Sequence, residues 1–345
     1  MKKSSENLPT ISFSIATYNA ARTIEKCLRS IVEQDYPKEK VEIVIADGGS
    51  TDTTVSIAKK YGANVTNVPK EVQGAEYNKG VAVSKSKNEI LAEIDQDNIL
   101  PHKKWLRKMV APLVEDAEIV GVEPLRYKYM RNMELMDRYF ALFGVNDPLP
   151  YYLGKADRIS YHSDKYTLFG EAEDKGKYYK VKFSPDKIPT LGANGFLVRR
   201  EILMENAKAG VGEYLHIDVT VDLINKGYNK FAFVKDSIIH ETNSKGLYTF
   251  IMRRKHFMEK YYFQDFSKRR YSVFVFPKDL PGLIYFVFIS ITFVKPLYDA
   301  FRGFIKVPDV AWFIHPVMCF GMTVVYSYTT VKGLLKKIYG NILER

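Results

Sequence analysis

The chain has 345 residues, 46% of them hydrophobic, which supplies one large core or two smaller ones and excludes a disordered polymer. Its two cysteines, Cys27 and Cys319, lie far apart, which excludes a disulfide framework and a cysteine-based zinc site and suits a reducing compartment. A net charge of +11 suits nucleic acid, anionic lipid or phosphorylated ligands alike, so the position of the charge must decide.

The N-terminus, MKKSSENLPT, carries lysines but no long apolar run, so no cleaved signal peptide is expected and the folded part is expected in the cytoplasm. ISFSIA reads as a short strand, followed by the turn Thr17-Tyr18-Asn19. Ile24, Leu28, Ile31 and Val32 then fall on one helical face, and Tyr36-Pro37 breaks that helix. VEIVIA (41–46) is a second, nearly continuous apolar strand. Asp47-Gly48-Gly49-Ser50 turns into a helix with Thr51 and Asp52 as capping candidates. A strand at Asn64–Val68, a helix at Gly74–Ser84 and the strand NEILAEI complete the first hundred residues. Repeated β-α-β with apolar strands predicts a mainly parallel sheet covered by helices, with ligands at the carboxyl ends of its strands.

Residues 120–190 are rich in Tyr, Lys and Asp, weakly periodic, and read as an insertion or lid rather than a separate domain. Helical pattern resumes after Gly195, and KFAFV (230–234) and SII (237–239) read as further strand. From Arg253 to Arg270 seven cations are threaded with aromatics and opposed only by Glu259 and Asp265, directly before apolar sequence. That juxtaposition predicts a membrane interface rather than an RNA groove, so no nucleic-acid partner is expected. Phe250, Ile251, Phe257, Met258, Tyr261 and Tyr262 recur near helical spacing, as in a helix lying along a leaflet. Leu280–Val294 has no charged residue for 15 positions and Val310–Val331 none for 22. At about 1.5 Å per residue the second can cross a hydrocarbon core of roughly 30 Å, while the first is short and suits a shallow or re-entrant helix. Arg302 and Lys306 between them disfavour a hairpin with that loop outside.

The strand NEILAEI ends at Asp95-Gln96-Asp97, two carboxylates spaced i, i+2 on a loop. Hard oxygen ligands of this kind suit Mg2+ or Mn2+, and such a cation can clamp a diphosphate. A D-x-D alone is a weak signal, since solvated acidic turns are common. Polar turns at Thr17-Tyr18-Asn19 and Asp47-Gly48-Gly49-Ser50 follow two earlier strands and can offer hydrogen bonds to a base and ribose, although each could be a plain turn or cap. Their joint occurrence at successive strand ends strengthens the reading.

SIATYNA, ADGGSTDTT, Gln73-Gly74-Ala75-Glu76-Tyr77-Asn78-Lys79-Gly80 and IDQDN together resemble the family 2 glycosyltransferases of the GT-A fold, over residues 11 to about 100. The resemblance continues more loosely through Leu191–Phe196, similar to the family's acceptor-side glycine loop, with Arg199 and Arg200 behind it. It implies a Rossmann-like mixed α/β sheet and inverting transfer from a UDP- or GDP-linked sugar with a divalent cation. Thr17, Tyr18, Asn19, Asp47, Gly74 and Asn78 would bind the nucleotide-sugar; Asp95 would face ribose, phosphates and metal; and Asp97, with His240 as a late ligand, would hold the metal. Asn194, Arg199, Arg200, Arg253 and Arg254 would serve acceptor or phosphates. Many members carry a Glu-Asp pair whose Asp is the base. That pair is absent here, and Asp218 is the first candidate and Asp222 the second, spaced i, i+4 on one helical face.

The expected organisation is a catalytic domain at 1–249, with a nucleotide half at about 10–100 and an acceptor half at about 101–249 that carries a lid-like insertion at 145–190. An interface helix at 250–275 and anchoring helices at about 280–299 and 310–331, within 276–345, would follow. The expected activity is sugar transfer to a membrane-bound, polyprenyl-linked acceptor, at the cell membrane with the catalytic domain facing the cytoplasm. A polyprenyl-phosphate sugar synthase, whose phosphate acceptor needs no base, stays open. Two apolar segments are too few for the export channel of a processive synthase. A nucleotidyltransferase would want a glycine- and lysine-rich phosphate loop near its start, and a non-catalytic nucleotide-sugar-binding membrane protein would have no need of Asp47, Asp95 and Asp97 together.

Overall fold

The computed structural model describes residues 8–242, 244, 246–259 and 269–343, with side chains to residue 335. The chain begins with β1 (Ile11–Thr17), α1 (Ile24–Val32), β2 (Val41–Asp47), α2 (Thr54–Lys60), β3 (Asn64–Asn67), α3 (Ala75–Lys85) and β4 (Ile90–Glu93). Then come β5 (Asn98–Ile99), α4 (Trp105–Glu115), β6 (Gly121–Tyr127), α5 (Leu135–Phe143), α6 (Pro148–Tyr152), β7 (Glu171–Asp174) and β8 (Tyr178–Lys182). It closes with β9 (Phe196–Arg199), α7 (Arg200–Asn206), α8 (Asp218–Asn225), β10 (Lys230–His240), α9 (Leu247–Met258), α10 (Leu280–Thr292), α11 (Val294–Lys306) and α12 (Ile314–Leu343).

These elements fall into two units. One comprises Met1–Lys128 and Tyr166–Glu241, the other Tyr129–Lys165 and Thr242–Arg345. The first is built on a ten-stranded sheet in the order β3-β2-β1-β4-β9-β6-β10-β8-β7, with β5 paired to β10. β3, β2, β1 and β4 are parallel, whereas β9 runs antiparallel to both β4 and β6. The sheet is therefore mixed. β1 lies inside it, so even Ser12 and Ser14 are buried beside Ile11, Phe13 and Ile15, and the strand reads as an apolar run rather than an alternation. On α1 the buried face is Ile24, Cys27, Leu28 and Ile31. Val32, expected on that face, is 38% exposed, because the chain turns there toward Tyr36-Pro37.

The segment of weak periodicity contains β6, a buried strand between β9 and β10 in which Glu123 and Pro124 interrupt the apolar pattern. It also contains the β7–β8 hairpin, which pairs with the outer edge of β10. The pieces 230–234 and 237–239 are one strand, β10, with an irregularity between Val234 and Ser237. After Gly195 the chain forms β9 before helix resumes.

In the second unit, α6, α10 and α12 bury Leu149, Phe286, Ile289 and Cys319 against one another. Val310–Leu335 is one helix long and apolar enough to cross a membrane; α10 and α11 meet that standard only as a pair, bent by 78°. The expected interface helix is described as α9; residues 260–268 of it lie outside the described residues.

Candidate active site

Parallel pairing brings the carboxyl ends of β1 and β2 level, with Thr17 beside Asp47. The Thr17 hydroxyl donates to Asp47 Oδ1 at 2.8 Å, and Asp47 Oδ2 accepts the amides of Gly49 and Ser50 at 3.0 and 2.7 Å. Asp47 is thus buried but fully used in shaping its own turn. Asn19, in the left-handed region at φ 47°, accepts the Thr51 amide at 2.9 Å, and its own amide donates to Ser50 Oγ at 2.8 Å. The two strand-end turns are stitched into one rim. Gly48 sits close to the start of α3: a Cβ there would come within 2.8 Å of Gln73 Oε1 and 2.9 Å of Asn78 Nδ2, so those two side chains would have to move. Asn78 is buried and accepts the Gly74 amide at 3.3 Å, closing the start of α3.

The 95–98 turn leaves β4 beside this rim. Asn98 Oδ1 accepts the Asp95 amide at 2.9 Å, and Asn98 Nδ2 donates to Asn194 Oδ1 at 3.0 Å. Asn194, itself at φ 56°, donates to the Tyr127 hydroxyl at 2.9 Å, and the Tyr127 and His240 rings lie 5.5 Å apart. The Tyr18 amide donates to Gln96 Oε1 at 3.3 Å. Asp95 is paired with Lys79 at 2.8 Å. Burial works to raise the Asp95 pKa, but the Lys79 ammonium outweighs it and holds the carboxyl below its usual range. His240 is the last residue of β10, and its Nε2 lies 3.6 Å from Asp97 Oδ1, a buried oxygen with no hydrogen-bond partner.

A second layer of ionisable groups lies behind Asp95. Glu76 accepts the His216 amide at 3.0 Å and faces His216 Nδ1 at 2.6 Å. Burial opposes ionisation of Glu76, yet His216 more than offsets it and holds the carboxyl at about 2. Glu93 accepts the Tyr214 hydroxyl, and burial pushes its carboxyl up to about 8 against the pull of that hydrogen bond and of Lys79. Glu76, Lys79, Gln96 and Asn98 lie within the sequence motifs, and their part in fixing this site emerges only from the fold. For Glu76 and Lys79 the available signal is their i, i+3 spacing on α3, which opens beside the Asp47 turn.

The structure gathers Thr17, Tyr18, Asn19, Asp47, Gly74, Asn78, Asp95, Asp97, Asn194 and His240 at one edge of the sheet of the first unit. Asp218 opens α8 and is fully buried. Gly192, at φ 96°, packs against the turn before it, where a Cβ would collide with the His216 carbonyl. Asp222, on the same helix, accepts the Lys208 amide at 3.0 Å. Arg199 and Arg200, expected to serve acceptor or phosphates, lie away from this edge. Antiparallel pairing sets Arg199 opposite Ile90, at the start of β4 and so at the far edge of the sheet. Its guanidinium donates to the carbonyls of Leu113 and Ile119 at 2.6 and 2.9 Å, and Arg200 donates to the Ser86 carbonyl at 2.8 Å. Arg253 and Arg254 belong to the second unit, where both lie over the Phe250 ring at 5.4 and 5.3 Å.

One rim of two polar turns over a parallel half-sheet, a D-x-D beyond the next strand and an antiparallel β9 together make the GT-A fold of glycosyltransferases. Residues 12–206 match glycosyl transferase family 2, and the chain belongs to that family of glycosyltransferases. The dolichyl N-acetyl-alpha-D-glucosaminyl phosphate 3-beta-D-2,3-diacetamido-2,3-dideoxy-beta-D-glucuronosyltransferase of Methanococcus voltae is 25% identical over 339 residues, covering 94% of this chain and 97% of that relative. Glycosyltransferase AglE of Haloferax volcanii is 36% identical over 110 residues, 31% of this chain; the match spans only 36% of AglE. Among solved structures, the mannosyltransferase PcManGT from Pyrobaculum calidifontis, in complex with GDP-Man and Mn2+, superimposes with a TM-score of 0.51 over 96% of this chain and 89% of that one. At 16% identity this last likeness is one of fold.

Proposed function

We propose that the protein is a metal-dependent inverting glycosyltransferase that moves a sugar from a UDP- or GDP-linked donor to a saccharide carried on a polyprenyl-type lipid at the cell membrane. The observation that carries the reading is the meeting of Asp97 and His240 at the edge where the nucleotide turns converge. The relative matched along nearly the whole chain bears a name that specifies transfer to a dolichyl-phosphate-linked sugar, and this favours a sugar hydroxyl over a bare phosphate as acceptor.

Among the described residues no cluster of three metal-ligating side chains exists. The buried Asp97 Oδ1 without a hydrogen bond, facing an imidazole nitrogen, nevertheless suits Asp97 and His240 as the two side chains that would hold a divalent cation. When bound, Mg2+ or Mn2+ would supply charge that stabilises the departing diphosphate. Asp95, fixed by Lys79, presents its carboxylate edge to the donor, and the amide-lined turns at Asn19 and Asp47 orient the nucleoside. Asp218, which opens α8 beside the 192–195 loop, is the first candidate for the base that takes the acceptor hydroxyl proton, and Asp222 on the same helix is the second.

The test is transfer by the full chain from a panel of UDP- and GDP-sugars, with Mn2+, to polyprenyl-diphosphate-linked or phosphate-linked N-acetylglucosamine and to polyprenyl phosphate. Transfer to the saccharide acceptors, lost in excess chelator, is expected. Transfer to polyprenyl phosphate alone would replace the acceptor, and failure to consume any donor would sink the reading.

A further inference from the structure

The C-terminal unit carries an apolar surface organised as stripes. On α11, Val294, Leu297, Tyr298, Phe301, Phe304 and Ile305 are exposed, the last at 82%, while Pro296, Asp299, Ala300 and Gly303 on the other side are buried. α12 repeats the division: Val317, Phe320, Val324, Tyr328 and Val331 are 42–55% exposed, and Met318, Cys319, Met322 and Val325 are buried. Phe293 and Phe320 stack with centroids 5.5 Å apart, which joins the two stripes. Ile284, Phe288 and Ile291 of α10 add three residues that are 59–63% exposed.

α12 has the length and hydropathy of a membrane span, but its neighbours are wrong for one. α9 lies along it: Ile251 leaves no room for a Cβ at Gly321, Lys255 Nζ is 4.8 Å from the Tyr328 ring centroid, and Glu259 pairs with Lys332 at 2.9 Å. Midway along α12, the Tyr326 hydroxyl donates to Asp147. Threading α12 through hydrocarbon would carry α9 with it and turn the exposed Arg253 toward acyl chains, where cations are tolerated only inside a bundle or at the interface. The sequence also sets cations at both ends of the stretch, with Lys295, Arg302 and Lys306 before it and Lys332, Lys336 and Lys337 after it. Basic flanks favour the cytoplasmic side, and here both flanks ask for the same side. They also complement anionic headgroups.

Resting on the membrane reading above, we propose that α10, α11 and α12 form a monotopic wedge. They lie along one leaflet of an anionic bilayer with the apolar stripes sunk to roughly 5–10 Å, and none of them crosses it.

The test uses the full chain in three arms. In flotation, the protein should bind vesicles of phosphatidylglycerol and phosphatidylcholine more tightly than phosphatidylcholine alone. The double variant Phe301→Glu, Ile305→Glu should bind the anionic vesicles at least about tenfold more weakly with nucleotide binding retained, whereas Ile305→Trp should bind as well as the parent. In inside-out membrane vesicles, Ser56→Cys on α2 and Arg345→Cys should both react with an impermeant maleimide added outside; Cys27 and Cys319 are buried. Labelling of Arg345→Cys only from the opposite face means that α12 crosses, and the wedge is overturned while the membrane reading stands. Unchanged flotation of the double variant, with a dimer converted to monomer by light scattering, assigns the stripes to a second copy and also overturns it. If the parent floats with neither vesicle, the membrane reading fails and the wedge fails with it, while the donor assay stands apart.

Discussion

Asp97 carries the metal reading on one buried oxygen, so the residue-scale test is direct. Asp97→Asn keeps the volume and removes the charge; transfer is expected to fall on the order of a hundredfold or more while the protein stays folded, and Mn2+ should no longer tighten donor binding. Undiminished transfer in the variant would remove the assignment. The Glu76–His216 pair makes a pH prediction. Folding lowers the Glu76 carboxyl from 4.5 to about 2, so the ionised form is favoured in the native state. Its stabilisation is complete above 4.5 and is lost as pH falls through that window toward about 2. Glu76→Gln should therefore be less stable than the parent at pH 6 and should approach it as the pH is lowered below 4.5, measured by urea unfolding.

At the scale of elements, Arg199 closes the C-terminal end of α4 by donating to the Leu113 and Ile119 carbonyls. Arg199→Ala should cost about 1–3 kcal/mol of stability and leave donor affinity unchanged; a loss of donor binding at unchanged stability would restore the phosphate role expected from the sequence. The 192–195 loop depends on backbone geometry. Gly192→Ala would force a Cβ into the His216 carbonyl from a left-handed conformation, and a loss on the order of 2 kcal/mol is expected, together with a drop in kcat. Equal melting temperatures of the variant and parent would show that the loop can yield.

On the scale of the whole molecule, residues 129–165 belong with the C-terminal helices although they are inserted in the middle of the catalytic unit's sequence. Leu149 is buried against Phe286, Ile289 and Cys319, and Tyr129 and Arg138 bond Asp309 at 2.6 and 2.9 Å. A chain cut after residue 248 should consequently expose these partners and aggregate. Replacing 129–165 by a flexible linker in the same truncated chain should restore a monomer that binds nucleotide, as read by size exclusion and calorimetry. A soluble monomer from the simple truncation would show that α5 and α6 stand without their partners.

The order of strands and helices from β1 to β4 was readable in the sequence, because local signals decide it. Parallel strands buried on both faces read as apolar runs, and the turns after β1, β2 and β4 carry polar residues whose types set both backbone and chemistry. The strand-end positions of Thr17, Asp47, Asp95 and Asp97 were legible on those grounds. Tertiary structure alone decided what depends on partners far away in the chain. Antiparallel pairing of β9 sends Arg199 to the far edge of the sheet, and Lys79 and His216 reach their carboxylates only after α3 and the turn before α8 have packed. β6 escaped notice because Glu123, though charged, is buried and accepts the Gly192 amide at 2.8 Å, an interaction across 69 positions that no local pattern can announce. The apolar character of the C-terminal runs was legible, since composition fixes transfer free energy. Whether such a run crosses or lies flat depends on the side chains packed against it, and α9 and Asp147 come from elsewhere in the chain.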